Sequence, residues 1–339
     1  LHLIRRATLA DVARKTGLNA STVSRALSRP ERVNDETRRR VEQVAAELGY
    51  SPNIMARNLS RGVINTILVM APNFADQALL PVFTDVLLGI CNEAEAQGFN
   101  VMIQHHSAST IPPEDVVKVL NGGMISGVIL MATDHWKAVP EIGSGTQPPP
   151  IVSIMVDMTH LGLTSVVAQE AEGFSEMVDY LVRRGYMSFA YVSGPKGATH
   201  EKIRCRSVMT QLTTHGLGDR LIRLEGGPFD MASGARAAKA YLALHERPRA
   251  VICSSDALAV GFMHGIIAAG LSVPEDVAIV GYDGLDYSAF VTPTLTTMSQ
   301  PSTEIGRSAM RSLADLILGQ ASTAQLIALR PKLLVRDSA

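Results

Sequence analysis

Ser21, Thr22, Ser24 and Arg25 fall within five residues, directly behind Ala20. An arginine fork can donate two parallel bonds to guanine, and the hydroxyls of Thr22 and Ser24 suit phosphate oxygens. This chemistry requires the residues on one face at the start of a helix, because a recognition helix presents its first turns to base edges in the major groove. Catalysis has no comparable constellation. The chain contains no GxSxG, HExxH or GxxxxGK[ST], and Gly194-Pro195-Lys196-Gly197 lacks the length and the Ser/Thr of a phosphate cradle. His105 and His106 have no carboxylate or cysteine partners at a metal-binding spacing. Neither an enzyme, a metal nor a cofactor is expected.

The elements that must hold the polar residues can be read around them. Thr8-Leu9-Ala10-Asp11 starts a helix in the manner of a capping box, and Gly17 supplies the left-handed residue that ends it. Asn19 can cap a second helix that carries Ser21 to Leu27. Asn34-Asp35-Glu36-Thr37 opens a third, with Val41, Val44, Ala45 and Leu48 on one face and Gly49 at its end. Two helices joined by a tight glycine turn make a helix-turn-helix, and Asn34 joins the expected DNA-contacting set.

Charge divides the chain in the same place. Residues 1–61 hold twelve Lys/Arg against six Asp/Glu, which leaves nineteen against twenty-six in the remainder of a chain whose net charge is −1. A basic head on an acidic body marks the head as the part that meets a polyanion. A solvated helical face would explain the charge alone, but not the order of cap, turn and helix start.

Hydrophobic residues make up 46% of the 339 residues, which supports substantial cores and more than one domain. No apolar run approaches a membrane span, and the opening residues do not form a signal-peptide core, so a soluble, cytoplasmic protein without membrane partners is expected. Cys91, Cys205 and Cys253 are too scattered for a disulfide framework. Pro52 to Gly62 reads as a short helix that orders only against a partner, and so as a hinge. Beyond it, strand-like runs at 66–70, 100–104, 127–131, 151–154, 189–192, 250–253 and 277–281 alternate with helix-periodic stretches. Repeated strand-helix units predict parallel sheets covered on both faces, in two lobes, with a ligand cleft at the carboxyl ends of the strands.

Leu9-Ala10-Asp11-Val12-Ala13, Ser21 to Leu27, Thr37-Arg38-Arg39-Arg40-Val41 and Glu47 to Asn53 together resemble the DNA-binding head of the lactose-repressor (LacI/GalR) family. The body resembles the effector domain of that family through Pro81 to Ile90, Ser193-Gly194-Pro195, Ser255 to Gly261, Val273 to Val277, Gly281-Tyr282-Asp283 and Leu295 to Pro301. The resemblance implies an α/β protein with a small all-α helix-turn-helix head and a two-lobed effector domain like that of periplasmic binding proteins. It implies a DNA-binding domain over 1–51, a hinge over 52–63 and an effector and dimerisation domain over 64–339. The chain would cross three times between lobe one, about 64–166 and 295–321, and lobe two, about 167–294 and 322–339. Paired hinge helices of a dimer would wedge Leu59 into the minor groove, with Asn53 and Ala56 on the same helix; unstacking is offset by wider contact on bent DNA.

Effector positions follow from the resemblance one residue at a time. Leu80 and Phe83 would line the first lobe, with core packing as the plain alternative for Phe83. Arg206 would be the ligand-binding arginine, Phe229 the stacking aromatic, Ser255 a polar residue at a helix start and Asp283 a carboxylate at a strand end. Asp157 is added after the 151–154 strand. Gln169-Glu170 stands where Asp-Asn is usual, Met209 where glycine is, and Gly284 where a second Asp is often found. The resulting expectation is a homodimeric, effector-controlled repressor of operator DNA, with a sugar or sugar acid as effector. A transport-type sugar-binding protein and a corepressor-dependent, purine-type regulator are the alternatives.

Overall fold

The computed structural model describes residues 7–28, 32–50, 64–71, 80–105, 113–131, 150–321 and 323–339. They form two units that divide after Asn65. In the first, α1 (Leu9–Thr16), α2 (Ala20–Ser28) and α3 (Asp35–Glu47) close over Val12, Ala13, Val23, Ala26, Val41 and Ala45. The expected three stripes therefore meet in one core.

The second unit alternates strands and helices as the sequence pattern predicts. Its strands are β1 (Thr66–Ala71), β2 (Asn100–His105), β3 (Gly127–Met131), β4 (Ile151–Ile154), β5 (Thr164–Ala168), β6 (Phe189–Ser193), β7 (Leu221–Glu225), β8 (Ala250–Cys253), β9 (Ala278–Asp283), β10 (Thr296–Ser299), β11 (Leu326–Leu329) and β12 (Lys332–Leu334). The helices are α4 (Leu80–Ala96), α5 (Pro113–Asn121), α6 (Glu170–Arg183), α7 (Thr199–Thr214), α8 (Met231–Leu242), α9 (Asp256–Ala268) and α10 (Ser302–Ile317). One sheet has the order β11-β5-β4-β3-β1-β2 and the other β12-β10-β9-β8-β6-β7. Every pairing is parallel except β10 with β12. β1, β3, β4 and β8 are buried along their whole length, which is why they read as predominantly apolar runs.

Among the described residues the chain passes between the sheets three times, after β5, after β10 and between β11 and β12. Two segments lie on the opposite side from expectation. Residues 296–299 pair with β9 in the second sheet, Thr296 opposite Val280, instead of beginning the return to the first. Residues 326–329 pair with β5 in the first sheet, Leu326 opposite Ser165, before the chain crosses back. Strand pairing decides both, because a strand's backbone groups must be satisfied by a neighbouring strand. Among the described residues no helix is long and apolar enough to cross a membrane.

Helices α4 and α10 touch through glycine. A Cβ on Gly89 would fall on the Thr303 carbonyl, and one on Gly306 on the Val86 carbonyl. Backbone atoms cannot yield as a side chain can, so Gly306→Ala should force the helices apart and lower unfolding free energy by about 1–3 kcal/mol. Urea unfolding followed by circular dichroism measures the loss.

Candidate functional site

In the head, the Thr8 hydroxyl accepts the Asp11 N–H at 3.3 Å and the Asp11 carboxylate accepts the Thr8 N–H at 3.0 Å, the two halves of the expected capping box. Gly17, at φ 70°, ends α1, and the Asn19 carbonyl accepts the Thr22 and Val23 N–H groups to start α2. Val23 and Ala26 point into the core. That orientation leaves Ala20, Ser21, Ser24 and Arg25 exposed and Thr22 half-buried, which brings the predicted reading residues to one surface. Arg25 Nε donates to the Ser21 carbonyl at 3.2 Å, so the base of its guanidinium is braced against its own helix. Asn34 is exposed and has a structural task as well, since its Oδ1 caps α3 by accepting the Thr37 N–H at 2.8 Å. Asn53, Ala56 and Leu59 lie outside the described residues.

In the second unit a polar cluster forms where the strands of the second sheet end. Helix α7 turns Glu201, Arg204, Cys205 and Val208 inward. Residues two apart on a helix lie about 200° apart, so Arg206 must face outward, and it is exposed. This corrects the sequence expectation: the inward arginine is Arg204, two positions earlier. The small residue expected three positions later becomes the buried Ser207 in place of the exposed Met209. Arg206 lines instead an outer groove of about 1110 Å³ beside β7, with Lys196, Lys202 and Arg223.

Arg204 is 5% exposed. Its Nε and Nη2 both donate to Glu170 Oε1, at 3.0 and 2.5 Å, and Nη1 donates to the Ser254 carbonyl at 2.8 Å. The guanidinium lies 4.4 Å from the Tyr282 ring centre and 5.5 Å from that of Phe229. Glu170 opens α6, and His200 Nδ1 lies 2.9 Å from its other oxygen. Burial would raise the Glu170 carboxyl, but the charges of Arg204 and His200 overcome it and hold the group at about 2. Burial likewise opposes the charge of Arg204, and Glu170 and Asp283 keep it above its ordinary value.

Asp283 ends β9 in the left-handed region, at φ 124°, a backbone conformation that side chains rarely adopt and that marks strain at functional sites. Its Oδ1 accepts from Gln300 Nε2 at 2.6 Å, and Gln300 lies in the segment that crosses between the sheets. Burial pushes the Asp283 carboxyl up to about 6, against the opposing pull of Arg204 and of the Gln300 bond. Gly284 follows at φ 76°, and a Cβ there would collide with Ser299, so an aspartate does not fit at this position without a shift. Beneath them Asp256 accepts from Thr297 and from the Leu285 N–H, pinning the loop.

The other candidates separate. Phe229, expected to stack on the ligand, packs beside the Arg204 guanidinium. Ser255 is buried, and its hydroxyl caps α9 by accepting the Leu258 N–H at 3.2 Å. Asp157 is exposed and braces its own turn, accepting from the Thr159 N–H and hydroxyl. Phe83 is buried in the first sheet's core with Val86 and Ile90, so the plain alternative of core packing describes it. Leu80 begins α4, and its side chain lies outside the described part. The sequence reading did not select Arg204, His200, Tyr282 or Gln300, and it noted Glu170 only as a departure. Helical periodicity held the signal for the arginine, since 201, 204, 205, 208 and 212 form one stripe that excludes 206. Among the described residues no group of three or more His, Cys, Asp or Glu could hold a metal.

Residues 8–53 match the family described as bacterial regulatory proteins, lacI family, and residues 178–339 match the periplasmic binding protein-like domain. The HTH-type transcriptional repressor CytR of Escherichia coli (strain K12) is 32% identical over 314 residues, covering 93% of this chain and 91% of that protein. The probable HTH-type transcriptional repressor ExuR of Bacillus subtilis (strain 168) is 27% identical over 331 residues, 98% of each. Among solved structures, a lac repressor dimer bound to operator and the anti-inducer ONPF is similar with a TM-score of 0.81 and 26% identity, over 98% of this chain and 99% of that one.

The two shifted carboxyls have opposite effects on stability. Folded Asp283 keeps a proton that an unfolded carboxylate has lost above about pH 4, so its contribution falls as pH rises from about 4 to 6. The contribution of Glu170 is present above about pH 4.3 and is lost as pH falls towards 2. Asp283→Asn should therefore flatten the decline between pH 4 and 6 and leave the acid limb in place. Urea midpoints across pH test this, and an unchanged slope would remove Asp283 as its source.

Proposed function

The chain belongs to the LacI family of bacterial regulatory proteins, and from that membership we propose that it is a homodimeric transcriptional repressor of operator DNA, switched by a small molecule bound at the Arg204–Asp283 cluster. The observation that carries this reading is the presence, in one chain, of a helix-turn-helix with an exposed polar reading face and a buried polar cluster at the strand ends of a periplasmic-binding-like domain. Two copies of α2 enter adjacent major grooves of a pseudo-palindromic site, with Arg25 reading a base and Thr22 and Ser24 contacting phosphates. Asn53, Ala56 and Leu59 act from the hinge in the minor groove. The protein works where that DNA is, in the cytoplasm.

The effector is polyhydroxylated, a sugar or sugar acid. Arg204 and Asp283 supply donors and an acceptor, and Phe229 offers an apolar face. The ligand acts through unequal affinity for two arrangements of the lobes, which the three crossing segments permit to differ. Thermal-shift screening against sugars, sugar acids, polyols and purines, followed by operator binding at fixed salt, tests this reading. A stabilising ligand that weakens operator binding identifies an inducer, and one that strengthens it identifies a corepressor. No change in operator affinity with any stabilising ligand would overturn effector control.

Residue roles are tested separately. Arg25→Ala should relax specificity at one base position, at a cost of about 1–3 kcal/mol, whereas a uniform loss across sequences would make Arg25 a phosphate contact. Asp283→Ala should abolish the ligand response with operator affinity unchanged, and Arg206→Ala should leave both intact. Gel-shift titrations with and without ligand read all three.

A further inference from the structure

We propose that Glu170 makes the cleft selective for an uncharged polyhydroxyl effector, because it occupies the recognition edge of Arg204 and excludes carboxylate- and phosphate-bearing ligands. The inference rests on the effector-binding reading above and chooses between its two ligand classes.

Arginine recognises an anion by presenting two parallel N–H groups to two oxygens, most often from the Nε–Nη2 edge. In this protein that edge is filled, since both nitrogens donate to Glu170 Oε1. A third donor goes to the Ser254 carbonyl, so two of the five guanidinium N–H groups remain for a ligand. They lie one on each Nη, and the charge around them decides between a hydroxyl and an anionic oxygen.

Charge points the same way. Arg204 is the only buried Lys or Arg among the described residues, and Glu170 and Asp283 both act on it electrostatically. His200 faces the second oxygen of Glu170, so any positive charge it carries is directed at the same carboxylate. With His200 protonated the four groups sum to zero when both acids are ionised, and with His200 neutral they are negative. A buried anion would therefore meet no spare cation in the cluster, and an unpaired buried charge is strongly disfavoured. A neutral sugar avoids that cost, donating hydroxyls to Asp283 and accepting from the two remaining Arg204 N–H groups. Glu170 stands where the family resemblance leads one to expect asparagine, which could not neutralise the arginine.

The test follows the Arg204 Nε–Hε resonance of the full-length protein by ¹⁵N NMR, assigned by its loss in Arg204→Lys. Wild type, Glu170→Gln and Glu170→Asn are titrated with galacturonate, glucose 6-phosphate and inorganic phosphate, and with galactose and ribose as neutral counterparts. The expected result is no saturable response of wild-type Arg204 to the three anions, and a saturable response in either folded variant at least about tenfold tighter. A saturable anion response in wild type, or no gain in the variants, overturns the proposal. Operator binding in the same samples separates the two readings. An anion that saturates wild-type Arg204 and also changes operator affinity defeats the uncharged class and preserves effector control.

Discussion

The buried pair of Glu170 and Arg204 holds the second sheet's polar end together. It connects the first residue of α6, the middle of α7, the carbonyl that follows β8 and the aromatic ring near the end of β9. Taking two charges out of water costs more than their attraction alone returns, so such a pair persists only where its remaining valences are also satisfied. Here Ser254 takes one guanidinium nitrogen, His200 faces the second carboxylate oxygen, and aromatic rings lie against the cation. Removing either partner leaves the other buried without its nearest opposite charge. The pair also fixes the orientation of the guanidinium among the strand ends.

The head is organised by different forces. Its core consists of a few valines and alanines, and its edges are held by the Thr8–Asp11 box, the Asn34 cap and the Lys15–Glu47 pair between α1 and α3. Small core residues let the helices approach closely. The reading residues of α2 are then placed by exclusion, because Val23 and Ala26 claim the inward face.

Much of this was legible in sequence where one physical signal dominated. The caps and Gly17 determine the helix-turn-helix, and predominantly apolar runs mark β1, β3, β4 and β8. Five strands escaped for two reasons. β5 and β10 bury hydroxyls at Thr164, Ser165, Thr296 and Thr297, so hydrophobicity does not reveal them. β7, β11 and β12 lie at sheet edges, where side chains are only partly covered. Of the polar cluster at the strand ends, Asp283 and the neighbouring Phe229 were named from sequence. Arg206 was named in place of the inward Arg204 because similarity in linear order carried more weight than helical phase, and Phe83, left between core and ligand lining, is buried in the core.

The three crossings also govern how the protein is made. The first sheet's core contains Ile305, Ala309, Met310 and Leu313 of α10, and its outermost strand is β11. The second sheet needs β12, and its core takes in Ala339. Each lobe is thus built from segments far apart in sequence, and neither completes its sheet and core from one continuous stretch. Until those segments dock, a lobe keeps an open sheet edge and uncovered apolar surface, the condition under which chains aggregate. Each lobe's last strand arrives only after the chain has passed through the other, which ties the folding of the two together.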